Sequence, residues 1–425
     1  MKKWFAILAV LVLALVISGV AMAQDAPSGE LEIFSWWTGG GEAAGLDALI
    51  AKFAEMYPDV TVVNAAVAGG SGVNARAVLT TRMLGGDPPD TFQVHAGEEL
   101  NAVWVAAGAV EPLNSIYEAN GWMDQYPQGL LDLLTDANGN IYSVPVNIHR
   151  SNVMWYVPAN LEQWGVTVPT SWDEFINTTC PALQAAGVTP LAVGEAWTQN
   201  HLWESVALGV LGADAYNGLW DGTTSWTSPE VQNVFTTFQQ VIACTNEDRN
   251  ALTWQDASKM VTDGTAAFNI MGDWAAGYFL VDLALEPGTG FAWAPSPGTE
   301  GNFMMLSDTF ALPVGAPNPT AAEAWLSFVG TAQAQDIFNP LKGSLPANTT
   351  ADITNSDLYN AYFQSAYQDW TSNTIVGSLQ HGLVAPPAFL NGFGTALQSF
   401  LSSGDVAATT AALGELAIQT GMTGN

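Results

Sequence analysis

The chain has 425 residues, of which 48% are hydrophobic, and its formal net charge at pH 7 is −31. The apolar content excludes a disordered chain, and the length favours two domains over one. Because only 9 lysines and arginines accompany 40 acidic residues, we expect no nucleic-acid partner, and a neutral ligand is favoured over an anionic one.

The first 23 residues have the pattern of an export signal. Lys2 and Lys3 precede a nearly continuous apolar run over residues 5–20, which is followed by small residues at 21–23. This pattern predicts a cleaved Sec-type signal peptide, with an uncleaved membrane anchor as the alternative. We therefore expect an exported protein, in the periplasm or at the cell surface, whose mature chain begins at Gln24.

The first part of the mature sequence alternates between strand and helix patterns. The run LEIFSWW, residues 31–37, predicts a strand, and apolar residues at helical spacing follow over residues 46–53. A strand in VTVVNAAV, a helix over residues 75–84, a strand in TFQV and a helix over residues 98–107 come next. This order predicts a parallel sheet with helices on its faces.

A second block of strands and helices begins after the turn residues DANGN. The aromatic run IYSVPVNIHRSNVMWY predicts strands that cross into another lobe. Ser171 and Glu174 predict the capping box of a helix. Cys180 and Cys244 are the only cysteines, and an even count in an exported chain predicts a disulfide, with two buried thiols as the alternative.

The loop SWWTGGGE has glycines at the spacing of a degenerate dinucleotide-binding motif. However, Trp36 and Trp37 separate the strand from the glycines, and Glu42 occupies the helix start where a phosphate would bind. These two features argue against a nucleotide site. Because neighbouring strand residues point to opposite faces, one tryptophan is expected in the core and the other in a cleft.

No motif in the sequence marks a catalytic or metal centre. The histidines, His95, His149, His201 and His381, are far apart in sequence, and the patterns HExxH and GxSxG are absent. We therefore expect a protein that is not an enzyme and that binds no metal or cofactor. An exported glycoside hydrolase or lyase, which needs two opposed carboxyl groups, is the alternative from another class.

Aromatic and polar side chains instead follow several of the predicted strands. Sugars present apolar ring faces and hydroxyl groups, so they stack on aromatic rings and bond to charged side chains. In open α/β sheets ligands bind at the carboxyl ends of the strands. The candidates at such positions are Trp37, Glu42, Gln93, His95, Asp273, Trp274, Asp308, Lys342 and His381.

The motifs LEIFSWWTGGGEAAGLDALIAKFAEMYPDVTV, GDPPDTFQVHAG, WDEF, AAFNIMGDWA and NPLKGSLPA resemble the extracellular solute-binding proteins of ABC transporters, the family that includes maltose-binding protein. More narrowly, SWWTGGGE, FQVHAG and SLQHG are similar to its glucose- and galactose-binding members. The resemblance implies a monomer that binds a neutral monosaccharide, such as glucose, galactose or mannose, and delivers it to a membrane permease. A binder of an oligosaccharide or a sugar alcohol is the alternative on the same fold.

The resemblance also implies an α/β fold of two lobes, the type II periplasmic binding protein fold. Each lobe would be a mainly parallel sheet flanked by helices, and the sugar would lie between the lobes. Lobe 1 would comprise residues 24–140 and 303–345, and lobe 2 would comprise residues 141–302 and 346–425. Hinge crossings would lie near residues 140–148, near residues 295–302 and near Leu345.

The family's sugar contacts can be carried over to individual positions. Trp254 and Trp274 would stack on the sugar, while Asp308 and Lys342 would form a charged pair that binds its hydroxyls. Trp37 is expected at the sugar in preference to Trp36. The full set would be Trp36, Trp37, Glu42, Gln93, His95, Trp254, Trp274, Asp308, Lys342 and His381.

Overall fold

The computed structural model describes residues 26–422 of the chain. The predicted signal peptide, residues 1–23, lies outside the described residues, so its cleavage stays a prediction. Among the helices of residues 26–422, none combines the length and the apolar character of a membrane span. The described chain forms two lobes of strands and helices, which confirms the predicted two-lobed α/β fold.

The strands of the described residues form three sheets. Their bounds are β1 Gly29–Phe34, β2 Val60–Asn64, β3 Thr91–His95, β4 Ser143–Pro145, β5 His149–Arg150, β6 Val153–Tyr156, β7 Thr189–Ala192, β8 Ala266–Ile270, β9 Ala292–Pro295, β10 Asn302–Leu306, β11 Asp308–Ala311 and β12 Thr374–Gly377. The first sheet has the order β2-β1-β3-β11-β4, the second β12-β10-β5 and the third β7-β8-β6-β9.

The first sheet is parallel across β2, β1 and β3, as predicted, and antiparallel where β11 joins it. The prediction of a mainly parallel sheet in each lobe is wrong for the third sheet, where β7 and β8 are parallel but β6 pairs antiparallel with β8 and β9. Asp308, the first residue of β11, lies opposite His95, the last residue of β3. The antiparallel pairing therefore places the start of one strand beside the end of another, at the same edge of the sheet.

The helices of the described residues cover the faces of these sheets. Their bounds are α1 Gly40–Met56, α2 Val73–Gly85, α3 Asn114–Asn120, α4 Gln128–Asp132, α5 Pro158–Trp164, α6 Trp172–Glu174, α7 Cys180–Ala185, α8 Ala196–Asp221, α9 Pro229–Ile242, α10 Trp254–Thr262, α11 Trp274–Gly277, α12 Pro319–Val329, α13 Ala332–Lys342, α14 Ala361–Ser372, α15 Pro387–Ser403 and α16 Val406–Gln419.

The first helix, α1, shows how the sequence pattern determines the packing. Leu46, Leu49 and Phe53 form one stripe and are all buried, and each such side chain contributes about 1.5–3 kcal/mol when it leaves water. The Phe53 ring meets the Trp325 ring of α12 at 5.4 Å. The helix ends at Tyr57, whose backbone N–H donates to the Phe53 carbonyl oxygen at 2.9 Å.

Two local predictions differ in detail from the structure. The helix predicted over residues 98–107 is a π-helical turn, Leu100–Val105. The Ser171 hydroxyl accepts from the Glu174 backbone N–H at 3.1 Å, as a capping box requires. The Glu174 carboxylate, however, accepts from the backbone N–H of Thr170, one residue before the cap, at 2.8 Å.

The strand pairing locates the crossings between the lobes. The chain leaves the first sheet between Pro145 and His149, inside the first predicted range, and Leu345 forms a bridge to Ile148. The second predicted range, residues 295–302, is wrong. Strand β10 still pairs with β5 and β12, which the sequence assigned to lobe 2, so the chain crosses at Ser307. We therefore propose that the second part of lobe 1 begins at Ser307.

A disulfide joins Cys180 and Cys244, with a Cα–Cα distance of 6.0 Å. Cys180 is the first residue of α7, and Cys244 follows α9, so the bond links two helices that pack in the core of lobe 2. The two cysteines are 64 residues apart in sequence. Closing a loop of that length restricts the unfolded chain and stabilises the fold.

The double variant Cys180→Ala/Cys244→Ala tests this contribution. We expect the free energy of unfolding to fall by about 4 kcal/mol, because the chain-entropy cost of the loop returns to the unfolded state. Urea unfolding of both proteins measures the change. A reducing agent should destabilise the parent chain and leave the double variant unchanged; equal stability of the two proteins without reductant would contradict the prediction.

Candidate functional site

A cleft of about 240 Å³ collects most of the residues that the sequence singled out. Of the predicted contacts, those that line it are Trp36, Glu42, His95, Trp254, Trp274, Asp308, Lys342 and His381. Gln93 and Trp37 do not line it. The lining residues that the sequence analysis did not choose include Thr38, Gly39, Gly69, Gly70, Gly72, His149, Glu195, Thr253 and Gln255.

The two tryptophans after β1 have the opposite roles to those predicted. Trp36 borders the cleft, with its ring 5.0 Å from His95. Trp37 is 1% exposed and packs on Phe338 and Phe310, with centroid distances of 4.8 and 5.6 Å. The prediction failed because β1 ends at Phe34. The strand alternation therefore no longer determines where either indole points.

The Asp308 carboxylate is buried and held by several donors. One oxygen accepts from the Gln93 side-chain amide at 2.8 Å, and the other accepts from the Asn147 side-chain amide at 2.8 Å. Gln93 was expected to contact the ligand, but it does not line the cleft and instead holds the Asp308 carboxylate in position. Its side-chain oxygen also accepts from the Trp36 backbone N–H at 3.1 Å. The Asp308 carboxylate is therefore a hydrogen-bond acceptor that is fixed in position at the cleft wall.

His149 connects Asp308 to the other lobe. Its Nε2 is 3.2 Å from an Asp308 oxygen, and its Nδ1 contacts the Asp273 carboxylate, which also accepts from the Arg150 backbone N–H at 3.0 Å. Burial alone would lower the pKa of His149, but the Asp273 charge raises it. Burial acts to raise the pKa of Asp308, but His149 and Lys342 outweigh it and hold that pKa well below its usual range.

Lys342 ends α13 with its ammonium inside the cleft. Its Nζ lies 2.5 Å from the Glu42 Oε1, and it sits over the rings of Trp37 and Trp274 at 5.7 and 5.9 Å. The predicted pairing with Asp308 is therefore replaced by an ion pair with Glu42. Glu42 lies in the first turn of α1, where the helix dipole also favours a negative charge.

Aromatic rings form the remaining wall of the cleft. Trp274 contacts His149 and His381, with centroid distances of 5.4 and 5.1 Å. Trp254 opens α10, where a capping box between Thr253 and Asp256 fixes the helix start beside the cleft. The rings and the charged groups therefore face one shared space, which suits a ligand with both apolar faces and hydroxyl groups.

The lowered pKa of Asp308 makes it unsuited to be the general acid of a glycosidase. A glycosidase needs one carboxyl group that carries a proton to the leaving oxygen, and burial commonly raises the pKa of such an acid. The pKa of Asp308 is instead lowered by His149 and Lys342. Asp308 is thus suited to accept hydrogen bonds rather than to donate a proton.

Comparison with known proteins identifies the family. Residues 38–336 match the bacterial extracellular solute-binding protein family. The chain belongs to this family. An ABC transporter extracellular-binding protein of Pyrococcus horikoshii is 35% identical over 412 residues, which cover 93% of this chain and 91% of that protein. A probable sugar-binding periplasmic protein of Rhizobium meliloti is 30% identical over 92% of each chain.

More distant matches agree with the fold. A xylose/arabinose-binding protein of Haloferax volcanii is 28% identical over 90% of this chain and 83% of its own length. The solved structure of the bacterial solute receptor AcbH superimposes with a TM-score of 0.80, covering 92% of this chain and 99% of that chain at 20% identity. The same two-lobed fold therefore extends over nearly the whole of this chain.

His149 is the principal site residue that the sequence analysis missed. It lies in the run NIHRSN, which was read as the crossing between the lobes. A polar residue at such a crossing reaches the cleft from the hinge side, and this position could have identified it. Glu195 immediately precedes α8, and Gln255 lies in the first turn of α10. No local pattern distinguishes them from ordinary residues at a helix start.

Paired alanine variants test the reversed roles of the two tryptophans. Trp37→Ala should lower the free energy of unfolding by about 3–5 kcal/mol, because it leaves a cavity in the core. Trp36→Ala should cost less, because the space that it opens joins the cleft. Urea unfolding of both variants measures the difference, and a larger loss in Trp36→Ala would refute the assignment.

Proposed function

We propose that this chain is the sugar-binding component of an ABC importer and holds one neutral monosaccharide, such as glucose, galactose or mannose. The observation that carries the proposal is the composition of the cleft, where Trp36, Trp254 and Trp274 share about 240 Å³ with ionised groups of both signs. This volume is below the range of about 300–1,000 Å³ that is typical of drug-sized ligands. It suits a single sugar ring.

The charges in the cleft favour a ligand that is neutral and rich in hydroxyl groups. Lys342 is already paired with Glu42, and Asp308 is already held by donors and by His149. A hydroxyl can donate to Asp308 and accept from Lys342 without adding a charge to a buried site. An anionic ligand would face Asp308 and Glu42, and a cation would face Lys342.

Close backbone contact beside the cleft limits the length of the ligand. A Cβ on Gly41 would lie 2.1 Å from the Leu341 carbonyl oxygen, and one on Gly277 would lie 2.5 Å from the same atom. The start of α1, the end of α13 and α11 therefore meet without side chains between them. This close packing lies next to Glu42 and Lys342 in the chain and supports a site with little room for further sugar rings beside that ion pair.

The relatives support the same class of ligand. The protein from Rhizobium meliloti is named as sugar-binding, and the protein from Haloferax volcanii as xylose/arabinose-binding, which are single-ring sugars. We infer that this chain works outside the cytoplasmic membrane, in the periplasm or at the cell surface. There it would act as a monomer that closes on the sugar by hinge motion and presents the closed form to the permease.

Calorimetric titration with a sugar panel tests the proposal. We expect saturable binding of D-glucose, D-galactose or D-mannose at one site per chain, with weaker or no binding of maltose, longer oligosaccharides and sorbitol. Chromatography of each mixture after incubation should show the sugar unchanged. Preference for an oligosaccharide or for sorbitol would overturn the monosaccharide assignment, and turnover of any glycoside would overturn the binding function.

Isosteric variants test the charged groups. Glu42→Gln and Asp308→Asn should each weaken sugar binding by more than tenfold, which is about 1.4 kcal/mol. The first change leaves the Lys342 ammonium without its partner, and the second removes an ionised acceptor. Glu55→Gln is the matched control, because Glu55 lies on the same helix with an exposed carboxylate. Unchanged affinity in both site variants would exclude these residues from the site.

A further inference from the structure

The histidines, which are far apart in sequence, gather around the cleft. His381 lies 5.6 Å from His95 and 5.5 Å from His201, measured between ring centroids. His149 and His201 both contact the Trp274 ring, at 5.4 and 5.8 Å. These four residues are all of the histidines in the chain. The sequence separation that argued against a metal site therefore does not apply in the folded chain.

Three buried groups meet behind the cleft wall. His201 and Glu204 lie one turn apart on α8, with Nδ1 and Oε1 3.5 Å apart, and His381 reaches them from the loop after β12. One ligand atom from each of the three residues lies within 4.8 Å of the others. His381 also lines the cleft, whereas His201 and Glu204 do not. The cluster therefore shares His381 with the predicted sugar contacts, while His201 and Glu204 lie outside them.

Three of the four ring nitrogens in this cluster lack a hydrogen-bond partner among the described residues. Both ring nitrogens of His201 and the Nε2 of His381 are buried with no partner among the described residues. Each such group costs about 1–3 kcal/mol if it stays unsatisfied, and an ion or a water commonly explains it.

Ser378 orients two of the three groups. Its hydroxyl is 2.8 Å from His381 Nδ1 and 2.9 and 3.0 Å from the two Glu204 oxygens. A proton on Nδ1 that bonds to Ser378 leaves the Nε2 lone pair free to bind a ligand. Metal-binding histidines commonly have such an outer partner on the second ring nitrogen, which fixes the ring and its tautomer.

We propose that His201, Glu204 and His381 bind a divalent transition-metal ion of the Zn²⁺ class behind the sugar cleft. Two imidazoles and one carboxylate are a common donor set for Zn²⁺, whereas Mg²⁺ and Ca²⁺ prefer oxygen donors alone. Tetrahedral bonds of about 2.0–2.1 Å place ligand atoms about 3.4 Å apart. The ligand atoms lie within 4.8 Å of one another, so binding would draw them together by up to about 1.4 Å. A bound ion would also fix the His381 ring, which lines the cleft.

The test uses the purified chain of residues 24–425, stripped with a chelator and titrated with Zn²⁺ alone. We expect one equivalent to bind and Co²⁺ to give the visible absorption of a tetrahedral site, with Mg²⁺ giving no response. His201→Gln and Glu204→Gln should each weaken Zn²⁺ binding by more than about tenfold. Glu230→Gln, an exposed carboxyl on α9, controls for adventitious binding to the acidic surface.

The parent titration decides the proposal even if a buried variant fails to fold. No stoichiometric Zn²⁺ binding by the parent chain would overturn it. So would binding that persists at full affinity in both His201→Gln and Glu204→Gln, provided that circular dichroism shows them folded. Sugar titration of the chelated parent chain runs in parallel; this separates the two proposals, because a chain without the metal can still bind sugar.

Discussion

The buried carboxylate of Asp308 is the group on which the arrangement of the site depends. It lies immediately after the crossing at Ser307, and it is held by Gln93 from the first sheet and by Asn147 from the first crossing. Through His149 it also connects to Asp273, which precedes α11 in the other lobe. A buried charge needs this many partners, since an isolated one would be too costly. If the chain crosses between the lobes where we propose, these partners come from both lobes, and the proposed ligand site and hinge share residues.

Helices and strands could be predicted from the sequence wherever apolar residues recur at the spacing of one buried face. The stripe Leu46, Leu49 and Phe53 predicted α1, and the alternation of strands and helices predicted the parallel part of the first sheet. The pattern failed where regular structure ends. Strand β1 stops at Phe34, so alternation could not decide between Trp36 and Trp37. The boundary that we propose at Ser307 was missed because the apolar parts of β10 and β11 are separated by only three polar residues in the sequence.

Several cleft-lining residues, such as His95, Trp274 and Asp308, were selected because polar or aromatic side chains follow the predicted strands. Trp36 and Trp254 were selected from the resemblance to the family. Their partners were not found, because pairing depends on contacts between distant segments. Lys342 pairs with Glu42 across 300 positions of sequence, whereas the sequence analysis paired it with Asp308. His149 and His201 gave no local signal of binding, and only the packing of α8 and β12 brings His201 and His381 together. Features that depend on neighbouring residues were therefore predictable from the sequence, whereas side-chain pairs that depend on tertiary contacts were not.

We propose that ionised, paired side chains and indole rings from both lobes enclose one neutral sugar ring. A crystal structure of the chain grown with D-glucose or D-galactose tests it most directly. We expect electron density for one ring in the cleft, with one hydroxyl within hydrogen-bond distance of Asp308 and another within that distance of Lys342. An indole of Trp254 or Trp274 should lie against the ring face. Density for a ligand of more than one ring, or for a sugar that contacts neither Asp308 nor Lys342, would contradict it.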